Sequence, residues 1–399
     1  MKDYTIAASQ GKQNNPKRVA HFYIWALAFY ILIVPLDAIK LFESFSFMRV
    51  LILIPMLCAL PQVKSQGLKM TKSGGLLFLF LCIIVFSVLY SVDISISKGA
   101  ALSISLNAGV VLILSLFQIG KDEMSILKRA FLMSSWFAAF LMIVTSITTI
   151  STTGRISISN GSTTQDANYV CGYLLYAVAF YTNEVFKGNG RLRNTAILFF
   201  FAMMVFMTGS RGGLLAFLFC AVVTFLSCAA KGKNKIQATL VLMILAVLFI
   251  VISPYLIQYL PETVAERFSV AAVIKDKGTG RTVLWRNILD AFNMAPFIRK
   301  IFGYGIGTSV HFTWTHLLAH NMWLEYLIGT GLIGTLFALL FYFRLSRICW
   351  KKDEMVILGT LMGYMMMSMS LSIMAYKPIW NVALLILLLE RVKEYGTME

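Results

Sequence analysis

Arg211 stands in "FMTGSRGGLLAF" (206–217) between two long apolar runs. A guanidinium stays charged and pairs bidentately with phosphate or carboxylate oxygens. Gly212 and Gly213 beside it permit close backbone approach or positive φ. An apolar helix beginning here would add its free N–H groups and dipole, which makes an anion site. The alternative is an arginine that only snorkels to a membrane interface. Arg281 repeats the form in "GTGRTVLWRNILDAF" (278–292), with Gly278 and Gly280 before it and a helical pattern after it. Arg286 follows on a different part of that helix. A basic surface helix touching anionic lipid fits the same residues.

His320 lies in "HLLAHNMWLEYLIGTGLIG" (316–334), at the start of an apolar stretch. Ionisable groups at apolar helices default to functional readings, and histidine is the usual general base near neutral pH. A hydrogen-bonded interfacial histidine is the plainer reading. His316 and His320 stand at i, i+4 and could form a metal pair, but no HExxH motif and no third ligand accompany them. No DxD or carboxylate cluster suited to Mg²⁺ is present either. The site is therefore read without metal or cofactor. Glu325 lies a turn and a half deeper, where a carboxylate is expected to pair with a buried basic group. Asp166, in "TTQDANY" (163–169), either caps a helix or orients one of the arginines.

The elements that must carry these residues follow from composition. The chain has 399 residues, 58% of them hydrophobic and 13% charged, against about 25% charged in soluble domains. Mean hydropathy is +0.77. Apolar runs of membrane-crossing length recur throughout, so an all-α polytopic membrane protein is expected, as one domain over 1–399. Twelve spans are read: 21–35, 46–61, 75–92, 97–118, 130–150, 167–186, 194–209, 212–230, 236–258, 319–343, 354–374 and 379–390. With the N-terminus inside, the inner segments hold 22 of the 35 Lys and Arg and the outer side 13. Positive charge sorts inward, so the net charge of +17 reads as topology and not as nucleic-acid binding. The first twenty residues are polar and basic, and no small-residue cleavage site follows the next apolar stretch, which reads as a retained helix.

One long outer loop runs over 261–318, and a loop of that length is usually functional. Within it Val283, Leu284, Ile288, Leu289 and Phe292 recur at helical spacing, predicting a short amphipathic helix on the outer leaflet. "GYGIG" (303–307) is glycine-rich but follows no parallel strand, which argues against a nucleotide site. The six cysteines show neither CxxC pairing nor a secreted-disulfide spacing and read as packing residues. "NGS" at 160–162 is a sequon by pattern only.

Taken in order on one face, "TGSRGG", "GRTVLW", "GYGIGT" and "AHNMWLEYLIGTGLIG" resemble the superfamily of O-antigen ligases and Wzy-type polysaccharide polymerases. The resemblance covers about 160–345; the first 150 residues match only in hydropathy. It implies a GT-C-like membrane glycosyltransferase of the bacterial cytoplasmic membrane, with its active site on the extracytoplasmic face. The implied donor is an undecaprenyl-diphosphate-linked glycan, and the implied acceptor a glycan or lipid-glycan hydroxyl. No metal or cofactor is implied. By motif, the catalytic residues fall on Arg211, Arg281 and His320. Arg286, Asp166 and Glu325 are expected to bind substrate. A secondary transporter or flippase for an anionic lipid or solute would also use many spans and outer arginines, but transporters carry polar groups and broken helices at midplane.

Overall fold

A computed structural model describes residues 17–38, 48–66, 68–159, 164–232, 255, 264–265, 280–314 and 316–392. The span expected at 236–258 (Tyr255 apart), most of the loop before Gly280 and the "NGS" sequon lie outside the described residues. Among those described, regular structure is helical, with one isolated bridge between Ser159 and Thr164. In lipid each backbone polar group must be satisfied within its own segment, and helices achieve that.

The helices in chain order are α1 (Lys17–Ile33), α2 (Leu53–Gln66), α3 (Lys72–Phe86), α4 (Ile94–Leu114), α5 (Lys121–Val144) and α6 (Ser146–Thr153). Next come α7 (Ala167–Val170), a 3-10 turn (Cys171–Leu174), α8 (Leu175–Lys187), α9 (Arg191–Met207) and α10 (Arg211–Lys231). After the undescribed stretch follow α11 (Arg281–Met294), α12 (Phe297–Phe302), α13 (Met322–Lys351), α14 (Met355–Ser368) and α15 (Lys377–Leu389). Helices α4, α5, α10 and α13 are long and apolar enough to cross a membrane; several other apolar helices are shorter. The protein is thus a membrane α protein.

Side-chain ties show which helix ends lie together. At one end Lys128 pairs with Glu354, Lys231 lies 3.1 Å from Asp353, and Arg344 donates to Glu390 (2.8 Å) and Ser73 (2.6 Å). At the other end Lys377 donates to both oxygens of Asp37 at 2.7 Å, and His311 meets Asp93 at 3.1 Å. Lys231 belongs to the first end. Trp285, whose Nε1 donates to Ala319 O (2.9 Å), belongs to the second.

Two boundaries differ from expectation in ways that matter. Helix α14 stops at Ser368, not near 374, and residues 369–376 form a non-helical connection. Ser368, Ser370 and Ser372 alternate there at a period of two, so a helix would turn Ser370 away from the other two. Helix α13 begins at Met322, so His320 precedes the helix instead of opening it. Asn321 is the cap, its Oδ1 accepting from the N–H groups of Trp323 (3.0 Å) and Leu324 (3.2 Å).

Helix α13 is also interrupted at Gly331 (φ 65°, ψ −163°). The "GYGIG" loop fills the break. Tyr304 N–H donates to Ile328 O (2.9 Å) and Gly305 N–H to Gly329 O (2.8 Å). A Cβ on Gly303 would strike the Gly329 carbonyl, and one on Gly331 the Ile301 carbonyl. These glycines serve backbone-to-backbone packing. From its other side the loop is tied to the α3–α4 connection: Val92 N–H donates to Tyr304 O (3.0 Å) and Tyr90 OH to Phe302 O (2.6 Å).

Candidate functional site

Arg211 is the first residue of α10. Ser210 caps the helix, its Oγ accepting from Gly213 N–H (2.9 Å) and donating to Asn168 Oδ1 (2.6 Å). Positive φ falls on Gly209 (61°) and not on Gly212 or Gly213. Those two permit close approach instead: a Cβ on Gly212 would meet Ser370, and one on Gly213 would meet Cys171. The turn is thereby held between α7 and the 369–376 connection. Asp166 caps α7 by accepting from Asn168 N–H (2.9 Å), and Asn168 carries that contact on to Ser210. Cys171, Cys220, Cys228 and Cys349 are buried as packing residues; Cys82 is exposed.

Helix α11 supplies Arg281 as its first residue, after Gly280 at φ 75°. Leu284 and Ile288 are its buried face, packing through Ile288 against Ala319 and Ile328, whereas Val283 and Leu289 are 52% and 42% exposed. Arg286 is exposed.

His320 is half-buried and sits at φ 49°, a conformation uncommon for residues other than glycine and often found at functional sites. Its Nδ1 is buried and has no hydrogen-bond partner among the described residues. Burial, and then the Arg281 charge, hold its imidazole below the ordinary histidine value, while Asp166 pulls the other way. The ring is neutral near pH 7 and so has a lone pair to accept a proton. His316 also has positive φ (52°) but is exposed, and residues 316–320 are not helical, so the i, i+4 spacing places no pair on a common face. Among the described residues no three of His, Cys, Asp and Glu gather as metal ligands would.

Glu325 departs from expectation. Fully buried, it is hydrogen-bonded to no basic side chain among the described residues. Its Oε1 accepts from Ala319 N–H (2.7 Å), Ser309 Oγ (2.8 Å) and Ser372 Oγ (3.3 Å), all neutral donors. Three segments are thus knotted at one oxygen.

The structure therefore brings Arg281, Asp166 and His320 within electrostatic reach of one another. The charges of Asp166, Glu325 and Arg281 also all act on the Tyr169 hydroxyl, which donates to Ser372 O (3.2 Å). The Arg211 turn joins this group through Asn168 and through Ser370. Residues 368–372 form the hub: besides Ser370 and Ser372, Ser368 Oγ accepts from Trp323 Nε1 (2.9 Å) and Met369 O from Asn321 Nδ2 (3.1 Å).

Sequence reasoning passed over Arg155, Tyr169 and this hub. Arg155 Nε donates to Thr208 O (2.5 Å), so a further guanidinium stands at the Arg211 turn. Its only signal was a basic residue on the side that charge sorting leaves poor in cations. The hub's signal was the serine alternation. A cavity of about 690 Å³ lies instead at the opposite end, lined by Lys128, Lys231, Glu354 and their neighbours. Its three lysines sit beside carboxylates, Lys128 with Glu354, Lys187 with Glu184 and Lys231 with Asp353, and none of the motif residues lines it.

Residues 196–339 match the Wzy_C family model, described as O-antigen ligase. The match contains Arg211, Arg281 and His320, and it supports membership of the O-antigen ligase superfamily. No curated protein matches the chain.

Proposed function

We propose, with that superfamily as premise, that the protein is a membrane glycosyltransferase of ligase or polymerase type. In this reading it takes a glycan from an undecaprenyl-diphosphate donor and transfers it to an acceptor hydroxyl on the extracytoplasmic face of a bacterial cytoplasmic membrane. Twelve spans and a GT-C-like arrangement belong to the same proposal, as does the 261–318 loop lying outside. The acceptor oxygen forms the new bond to the anomeric carbon as the bond to the donor diphosphate breaks. The electron pair leaves on the phosphate oxygen, where Arg211 and Arg281 meet the growing charge. Guanidinium suits that task because it binds two oxygens at once and never loses its charge. His320 takes the acceptor proton. Arg281 is the loop arginine of this mechanism, since its charge acts on His320, and Arg286 is left to phosphate or lipid nearby. Asp166 tempers the Arg281 effect on the imidazole. No metal is required for the charge.

The observation that carries the reading is a half-buried His320 at positive φ, its buried Nδ1 without a partner among the described residues, in the segment match that also holds Arg281 and Arg211. Among the described residues the break in α13 is a feature that favours a transporter. Its freed carbonyls, however, accept from the 303–307 backbone, whereas a transporter's break opens on a cavity. The test is transfer from a purified lipid-linked donor by the full chain in nanodiscs. His320→Ala should abolish turnover and keep donor binding, and chelator should leave the wild type active. Normal turnover in His320→Ala would end the mechanism.

A further inference from the structure

Ala319, the residue before the proposed base, is held at both ends. Its N–H donates to Glu325 Oε1 (2.7 Å) and its C=O accepts from Trp285 Nε1 (2.9 Å). Its side chain is fully buried against Ile288 and Ile328. His320 follows at once, in the left-handed region that a histidine leaves unless its surroundings enforce it. The two holding groups come from different segments. Glu325 lies in the first turn of α13, and the same oxygen gathers Ser309 and Ser372. Trp285 lies in α11, four residues after Arg281, so the two share a helix face.

Resting on the function proposed above, we propose that Glu325 and Trp285 are positioning residues that clamp Ala319 and thereby hold His320 and Arg281 in one geometry. Trp285 has two effects through one bond. It fixes the peptide next to the base, and it seats the helix that carries the arginine. Glu325 supplies an accepting oxygen and takes no proton from substrate. Its second oxygen, Oε2, is buried without a partner among the described residues, so the carboxylate makes all its bonds through Oε1.

The experiment uses full-length protein in nanodiscs and three variants: Trp285→Phe, Glu325→Ala and Glu325→Gln. Two quantities are read: transfer from the lipid-linked donor, with donor binding measured apart, and deuterium uptake in the peptide spanning 316–324. Trp285→Phe and Glu325→Ala should lower turnover by roughly tenfold to a hundredfold, the scale set by a misplaced reacting group. Donor affinity should hold, and uptake at 316–324 should rise. Glu325→Gln keeps an accepting oxygen and should restore both readings. If Glu325→Gln is as inactive as Glu325→Ala while uptake is normal, Glu325 works by its charge or proton and the clamp is wrong. Wild-type uptake and turnover in Trp285→Phe would overturn it as well, and that variant decides the matter should Glu325→Ala fail to fold. Deuterium uptake needs no substrate. Rising uptake in a protein whose wild type transfers no glycan would sink the glycosyltransferase reading and leave the clamp standing.

Discussion

Two glycine-rich stretches lie at the same end of the bundle and use their missing side chains differently. At 209–213 the close neighbours are side chains, Ser370 and Cys171, and the result is a tight turn that presents Arg211 at a capped helix start. At 303–307 the close neighbours include the α13 backbone at Gly329 and Gly331, and the result is a plug in a broken helix. The first stretch carries a charged group; the second carries none. Glycine content alone therefore does not mark a site. What separates the two is whether a helix start and a guanidinium accompany the glycines.

The largest expected effect breaks the plug. Gly303→Ala and Gly331→Ala each force positive φ on a residue with a Cβ and drive that Cβ into a carbonyl. Each should cost about 3 kcal/mol or more, from overpacking and backbone strain together. Little folded protein should be recovered by size-exclusion chromatography in detergent. Normal yield and melting temperature would show that the plug is not needed. Next comes Arg211→Ala, which should reduce transfer about 10–150-fold, the worth of a charge-assisted contact of roughly 1.5–3 kcal/mol. Arg211→Lys should rescue poorly because it lacks the fork. Full activity in the alanine variant would remove Arg211 from the site.

A smaller effect sharpens the contrast. Gly213→Ala should destabilise by about 1–3 kcal/mol through its collision with Cys171, and adding Cys171→Ala should recover the part due to the sulfur, since the residue 171 Cβ (2.8 Å) and the Ser210 Oγ (2.9 Å) stay close. No side-chain truncation should rescue Gly303→Ala, because its obstacle is backbone. A double-mutant cycle in thermal melts measures the coupling, and additive losses at Gly213 and Cys171 would refute it. The smallest effect is in the pH profile. Asp166 raises the His320 value and Arg281 lowers it. Activity is lost as pH falls through that value and the ring protonates. Asp166→Asn should therefore move the acid limb of turnover to lower pH, and Arg281→Gln, besides its loss of turnover as a diphosphate contact, should move the limb of the residual activity higher. A limb that ignores both would mean His320 is not the titrating base.

Much of this was legible in the residues because lipid narrows the choices. Described helices coincide with eleven of the twelve expected apolar runs, the run at 236–258 lying outside the described residues apart from Tyr255, and four of those helices are long and apolar enough to cross a membrane. The misses share a cause. Lys377 with Asp37, Tyr169 with Ser372 and Arg155 with Thr208 pair residues far apart in the chain, and no local pattern records such a contact. Glu325 was expected to seek a cation. It finds neutral donors instead, from two loops and from the segment just before its own helix. The 369–376 connection hid inside an apolar run because hydropathy counts residues and does not register their period. Only the serine alternation betrayed it.

The hub at 368–372 bears on how this protein can be recombined with its relatives. The matched segment ends at 339, and Asp166, Tyr169 and Cys171 precede its start at 196. A chimera exchanging 196–339 alone would pair a foreign TGSRGG turn with the native Cys171 and Ser370, and a foreign Glu325 with the native Ser372. The workable unit of exchange is discontinuous: roughly 155–171 and 366–376 must travel with the matched segment.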